Sequence, residues 1–443
     1  MNRLVFGTLT SVTSALIFLP SALAAQASAD SVARPISLDE AVKLAQRNSP
    51  TTVQATGATR ANAASVRTAY MSFIPTLSFT SGASKRSGGS GFDTQGQLQP
   101  FLGPPWQYTN GLRMNLDLFD GGNRFYRLRT ARANVDASEA NETLQQYNVA
   151  LNVKQQYYAV LAAREMEAAA QAQLDQATEQ LKTASAKVAA GAATKSDSLR
   201  AIIQVGNAQL SLIQARNNLN IANASLTRLV ATPFVVTATP DDSSGAITLN
   251  ADTSQIATLA LRGPSVAQSE ASYSAARANV RGSLTPYLPT ISMSFNRNGN
   301  GSDSSLRVLA SRYAYSQTLG FALNFPFFNQ GAREEQVVRS RVAEETAQAQ
   351  LRDTRLLAQQ QLTQYLSEFR SAEQRIQIQL ASVAAAEEDL RVQQRRYQLG
   401  ASTFLDVLSS QVTLNQARAA LIQARFDARV AKAQIETLTG KDM

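Results

Sequence analysis

The chain has 443 residues, with 42 Lys plus Arg against 33 Asp plus Glu, a net charge of +9, and neither His nor Cys. Without imidazole or thiol it can build no Ser-His-Asp triad, no cysteine nucleophile, no zinc finger and no His- or Cys-ligated transition metal. Only carboxylate, Lys, Ser or Tyr chemistry stays open, and the thinly spread basic residues, with no run of five, argue against nucleic-acid binding.

At the N-terminus Arg3 supplies a short positive region, an apolar stretch runs through Leu16, Ile17, Phe18 and Leu19, and Ala22-Leu23-Ala24 forms a small-x-small cleavage site. Residues 1–24 therefore read as a cleaved secretory signal. The apolar stretch is shorter than the roughly 20 residues a spanning helix needs, and it ends at Pro20. A chain without Cys offers no site for N-terminal lipidation and no disulfide. No later window approaches about 18 consecutive apolar residues, so any contact with a membrane has to be made by strands or at the surface.

About 443 residues would ordinarily suggest two or three domains, but two halves repeat. At an offset of 214, Pro50, Val66, Pro75 and Thr76 recur as Pro264, Val280, Pro289 and Thr290. At an offset of 209, Gly111, Asn115, Phe119, Gly122, Arg124, Gly191, Thr194, Asp197 and Leu199 recur as Gly320, Asn324, Phe328, Gly331, Arg333, Gly400, Thr403, Asp406 and Leu408. One structural unit is used twice, over 25–245 and 246–443.

In the first unit Leu77 and Phe79 alternate with Thr76, Ser78 and Thr80, and Leu112, Met114, Leu116 and Leu118 alternate with Arg113, Asn115 and Asp117. That period of two predicts strands over about 76–86 and 107–119. A stretch free of Pro from 106 to 232, with no Gly between Gly122 and Gly191, predicts helices over about 123–190 and 194–230. The second unit predicts strands over about 290–298 and 313–325 and helices over about 332–399 and 403–439, the Pro-free stretch being 327 to 443. Gly-, Ser- and Asn-rich segments from Lys85 to Gln99 and from Asn298 to Ser305 are expected to be long hairpin loops. Each long helix would be on the order of 100 Å at about 1.5 Å rise per residue, too long for a compact domain.

After each glycine break the heptad positions alternate small and large: Val205, Ala208, Leu212, Ala215, Leu219, Ala222, Leu226 and Leu229, then Leu414, Ala417, Leu421, Ala424, Ala428, Ala431, Ile435 and Leu438. The preceding rods show similar spacing at Leu174, Ala177, Leu181, Ala184 and Val188, so antiparallel coiled-coil hairpins are expected. Strands apolar on one face and polar on the other suit a transmembrane barrel wall, with Trp106, Tyr108, Tyr313 and Tyr315 available for aromatic girdles. Four strands cannot close a barrel, since about eight is the smallest closed size, so the barrel reading requires an oligomer. A secreted or surface coiled-coil scaffold is the competing reading, and it leaves the four strands unexplained. An enzyme using carboxylates lacks any recurring acid pair in a pocket-like loop. Asn300-Gly301-Ser302 is read as a turn and Tyr157-Tyr158 as helix packing.

The whole mature chain resembles the TolC-like outer-membrane efflux and secretion channels. The resemblance rests on Ser37-Leu38-Asp39-Glu40-Ala41 with Asn48-Ser49-Pro50, on Phe73-Ile74-Pro75-Thr76-Leu77 and its echo Tyr287-Leu288-Pro289-Thr290-Ile291, on Leu118-Phe119-Asp120-Gly121-Gly122, and on the segments 191–197 and 400–408. It implies a mainly α fold with a β-barrel portion: a homotrimer whose four strands per protomer complete a 12-stranded outer-membrane barrel, continuous with a helical barrel crossing the periplasm. It further implies a passive conduit, with no cofactor or metal, that docks on a periplasmic adaptor (membrane fusion) protein linked to an inner-membrane transporter. Gly191, Thr194, Asp197, Leu199, Gly400, Thr403 and Leu408 would then form the adaptor-docking tips, and Asp406 an acidic ring at the periplasmic constriction. Asp197 and Asp406 also suit capping boxes with Thr194 and Thr403. A second acidic ring position and a latching basic residue of the family correspond here to Ser409 and Ser402.

Overall fold

The computed structural model describes residues 33–86, 89–92, 95–100, 106–239, 252–305 and 313–442. The expected signal at 1–24 and the junction of the two units at 245/246 lie outside the described residues. The elements in order are β1 (Arg34–Ile36), α1 (Leu38–Asn48), α2 (Pro50–Met71), β2 (Thr76–Lys85), β3 (Ser90–Phe92), β4 (Leu98–Pro100), β5 (Trp106–Asp120), α3 (Asn123–Ala189) and α4 (Lys195–Val230). They continue with β6 (Val236–Ala238), α5 (Thr253–Ala260), α6 (Pro264–Ser283), β7 (Thr290–Asp303), β8 (Ala314–Asn324), α7 (Ala332–Gln398) and α8 (Phe404–Thr439).

The duplication is carried into three dimensions. Both α3 and α7 have 67 residues and both α4 and α8 have 36. Gly122 and Gly331, in the left-handed region at φ 81° and 82°, turn the chain out of a strand into each long helix. Each helix runs unbroken because nothing in it removes a backbone donor or frees the chain, and it spans roughly 100 Å. The α3–α4 and α7–α8 hairpins pack side by side through α3 and α8, so the helices follow one another as α4, α3, α8, α7, with α4 and α7 on the two flanks. Nearer the sheet, α2 and α6 take over from α4 and α8 beside the long helices, and α3 lies between α2 and α6.

The heptad positions form these contacts. Ala208, Leu212, Ala222 and Leu226 are buried on α4, and Leu414, Leu421, Ala424, Ala428, Ala431, Ile435 and Leu438 on α8. The two largest apolar clusters lie midway along the rods. One joins α1, α3, α4 and the short parallel pair β1–β6 around Tyr157, whose hydroxyl donates to the Ile36 carbonyl at 3.1 Å. The other joins α5, α7 and α8 around Phe369 and Ile435.

β2, β5, β7 and β8 form one antiparallel sheet in that order. Its register sets Leu77 beside Met114, Met114 beside Phe295, and Phe295 beside Leu319, while Ser78 meets Arg113, Arg113 meets Asn296, and Asn296 meets Thr318. Over this stretch the apolar positions fall on one face and the polar positions on the other, as side chains of alternating residues must; beyond it Arg297 stands beside Leu112, and a bulge between Asp117 and Phe119 shifts the register. No helix among the described residues is long and apolar enough to cross a membrane.

Four expectations are corrected. β7 does not stop at 298 but runs to Asp303, because β5 continues beside it and supplies the ladder through the Gly- and Asn-rich stretch. The expected turn at Asn300-Gly301-Ser302 is therefore strand, paired with Thr109, Tyr108 and Gln107, and the glycine before it at 299 marks a close approach, since a Cβ there would lie 2.2 Å from Asn110 Oδ1. The segment from Lys85 to Gln99 carries its own short hairpin, β3 with β4. Tyr108 is no girdle residue, since it is 1% exposed and its hydroxyl donates to the Ser305 carbonyl.

Candidate functional site at the hairpin tips

The two helical hairpins end in turns of the same construction. Gly191 and Gly400 adopt φ of 73° and 76°, the left-handed conformation that glycine takes without steric cost. At the first, the Gly191 N–H donates to Val188 and Ala192 N–H to Lys187; at the second, Gly400 N–H donates to Tyr397 and Ala401 N–H to Arg396. Both patterns close the helix with paired bonds to its last free carbonyls. The next helix then starts from a threonine cap. The Thr403 N–H and hydroxyl both donate to Asp406 Oδ2 at 2.8 Å, and Asp406 N–H returns a bond to Thr403 Oγ1 at 3.3 Å. At the first tip Thr194 donates to Asp197 Oδ2 from its N–H at 3.2 Å and its hydroxyl at 2.9 Å.

Both aspartates therefore hold the turn whatever else they do. The bonds from Thr403, backbone first and hydroxyl second, together with the nearby Arg396 charge, hold the exposed Asp406 carboxyl below its ordinary range. Arg396 itself donates to the Ala401 carbonyl at 3.3 Å, which makes it the basic group of this turn. Ser402, where the resemblance would place a latching base, donates to the Gln393 carbonyl at 3.3 Å, and Ser409 is exposed.

The expected tip residues fall into two groups, Gly191, Thr194, Asp197 and Leu199 on one hairpin and Gly400, Thr403, Asp406 and Leu408 on the other, and the fold brings the two turns together. Lys187 donates to the Tyr397 carbonyl and its ammonium lies 4.1 Å over the Tyr397 ring. Burial, with the charge of Asp197 added, pushes the Tyr397 phenol above its ordinary value. Further along, the fully buried Gln411 accepts from Gln180 at 2.7 Å and donates to Gln176 at 3.0 Å, tying α8 to α3.

The paired leucines differ: Leu199 is exposed and Leu408 half-buried. Two residues of the 400–408 segment that were not among the expected tip residues complete the site. Phe404 is wedged between the hairpins, and Leu405 beside it is exposed, as is Leu399 at the end of α7. Two aromatic or aliphatic residues directly after a threonine cap are the signal that could have identified them. The outer surface of the tips thus offers Leu199, Leu399 and Leu405 as apolar contacts around two capped turns, and no group of acidic side chains among the described residues is placed to hold a metal ion.

Comparison with known proteins agrees with this architecture. The family model described as outer membrane efflux protein matches residues 41–232 and 256–441. The pyoverdine export outer membrane protein OpmQ of Pseudomonas aeruginosa is 26% identical over 397 residues, covering 88% of this chain and 82% of that protein. The outer membrane efflux protein BepC of Brucella suis is 27% identical over 348 residues, covering 75% of this chain and 72% of its own. Among solved structures, the outer membrane protein VceC of Vibrio cholerae superposes with a TM-score of 0.73 at 18% identity, over 91% of this chain and 96% of that one.

Proposed function

This chain belongs to the outer membrane efflux protein family, and we propose on that footing that it is the outer-membrane conduit of a tripartite export assembly. Three copies close a 12-stranded barrel in the membrane and a helical tunnel below it. Cargo enters from an inner-membrane transporter through a periplasmic adaptor that grips the hairpin tips. The chain performs no chemistry on its cargo.

The observation that carries this reading is the four-stranded sheet. One face is apolar, and its two edge strands, β2 and β8, have no partner on their outer sides among the described residues. Exposed strand edges are normally protected, and closure into a barrel removes them. Because neighbours in the sheet are all antiparallel, β8 of one copy meets β2 of the next antiparallel as well, as an even-stranded barrel requires. The helices support the same closure. α4 carries exposed Leu199, Ile203, Leu210 and Ile213, and α7 carries exposed Ile378, Val392 and Leu399, both at heptad spacing. These stripes lie on the two flanking helices and pair with each other only between copies.

Single-channel recording of the detergent-purified mature protein in a planar bilayer tests the proposal. Discrete, long-lived conductance steps are expected. A protein that stays soluble without detergent and never inserts would instead favour a coiled-coil scaffold.

A further inference from the structure

Phe125, Arg129, Arg132 and Asp136 follow one another on α3 at intervals of 4, 3 and 4, which sets all four on one face of the helix. Two observations identify that face as the outside of the wall. Phe125 is 67% exposed and stands edge-on to Phe73, 5.2 Å away, at the level where the sheet meets the helices. Further down the same stripe, Thr143, Tyr147, Ala150 and Lys154 face a cavity shared with α1 and the C-terminal Asp442, an added layer that an open conduit can carry only externally.

Between these two points α3 lies against α6. Arg129 and Arg132 line, with Arg277 and Arg281 of α6, a groove of about 510 Å³ in which Asp136 is the one acidic lining residue. Arg132 donates to the Tyr70 hydroxyl and lies 5.4 Å over its ring. Arg129, Arg277 and Arg281 form no ion pair among the described residues. Four guanidinium groups facing one carboxylate make a field that calls for an anion. At about 1.5 Å per residue, Arg129 and Arg132 lie roughly 6 and 10 Å below Phe125, the depth of lipid headgroups beneath an interfacial aromatic.

We propose that this groove binds the phosphate headgroup of an anionic phospholipid of the periplasmic leaflet, an inference that rests on the outer-membrane reading above. Guanidinium forks match phosphate oxygens two at a time, and basic clefts between helices at a membrane surface bind such headgroups. An anionic cargo in the lumen would meet the opposite face of α3, where Arg127 and Asn134 stand.

The test reconstitutes the mature protein in vesicles of phosphatidylethanolamine containing a minority of phosphatidylglycerol, extracts it, and quantifies the retained lipid by mass spectrometry. Phosphatidylglycerol is expected to be enriched over its share of the vesicle. The enrichment should fall roughly fivefold for each of Arg129→Gln, Arg277→Gln and Arg281→Gln, and stay unchanged in Arg127→Gln. No enrichment in the wild type, or an equal loss in Arg127→Gln, would overturn the headgroup site. Conductance in the same lipids separates the two levels: protein that conducts without holding phosphatidylglycerol refutes this inference alone, and protein that never inserts refutes the channel reading and the inference together.

Discussion

The Phe404 ring stands 5.7 Å from the Tyr397 ring of its own hairpin and, 2% exposed, is lodged against Ala184 and Ala201 of the neighbouring one. One side chain thus fastens the two tips to each other. Phe404→Ala should destabilise this contact by about 3 kcal/mol, the usual loss for a buried aromatic. Amide exchange would quicken at both turns and remain slow in the sheet. Unchanged exchange around Ala184 and Ala201 would show that the hairpins are held together elsewhere.

Asp406 has a depressed pKa, so it stays charged through neutral and mildly acid pH and loses its charge only as pH falls through a value below the ordinary 3.8. If three copies ring a constriction, cation preference should be constant through neutral pH and collapse only in strong acid. Asp406→Asn keeps an oxygen for the capping bonds from Thr403 while removing the charge. Reversal potentials under a salt gradient are expected to move toward zero in this variant; an unmoved potential assigns Asp406 to capping alone.

Lys154 Nζ lies 2.6 Å from Glu436 and 3.2 Å from Asp442, joining α3 to the end of α8. Burial opposes the ammonium charge, but the hydrogen bond and charge of Glu436, helped by Asp442, more than offset it and raise the pKa above 10.5. A raised pKa in the folded state means a contribution fully present at neutral pH and lost as pH rises through that value. Lys154→Met should lower stability at neutral pH by about 2 kcal/mol, as loss of a charged hydrogen bond does. The wild type alone should then show this loss on going to strong alkali. Denaturant midpoints across pH measure both effects.

Two glycines give opposite expectations. A Cβ on Gly263 would fall 2.0 Å from the Leu438 carbonyl oxygen, whereas one on Gly57, inside α2, meets nothing within 4 Å. Gly263→Ala must push the start of α6 away from the end of α8 and should cost about 2 to 3 kcal/mol. Gly57→Ala should stabilise by about 0.5 to 1 kcal/mol by restricting the unfolded chain. Melting temperatures that move in the same direction for both would contradict this packing.

Ile213 on α4 is 63% exposed in a single copy. In the proposed trimer it would face α7 of the next copy, so Ile213→Glu should leave each protomer helical but release monomers on native electrophoresis. An intact oligomer would place the subunit contact on another face.

The long helices were legible because their ends are written twice: Gly122 and Gly331 open them, Gly191 and Gly400 close them, and no proline intervenes. The strands were legible where apolar and polar residues alternate, as from Leu112 to Asp117. Legibility failed where a residue's meaning lies in its neighbour. Gly299 reads as a loop in the sequence and is a strand residue because Asn110 and Tyr315 occupy the space beside it. Tyr108 has the parity of an outward girdle residue but is covered at the Ser305 carbonyl. The Arg129–Arg281 groove unites positions far apart in the chain, and only the packing of α6 on α3 brings them together. At the tips, the caps were readable from Thr-x-x-Asp, while the wedge at Phe404 needed the second hairpin to be in place.

The edges of β2 and β8, without partners among the described residues, also have a genetic consequence. In the proposed barrel, a protomer altered at one edge and mixed with normal copies would leave a gap in every barrel it joins, since each seam needs a sound edge from both sides. In a trimer most assemblies formed from equal amounts of the two would contain at least one altered copy. Alleles damaging these edges without preventing assembly should therefore be dominant, whereas alleles that stop the chain from folding should be recessive.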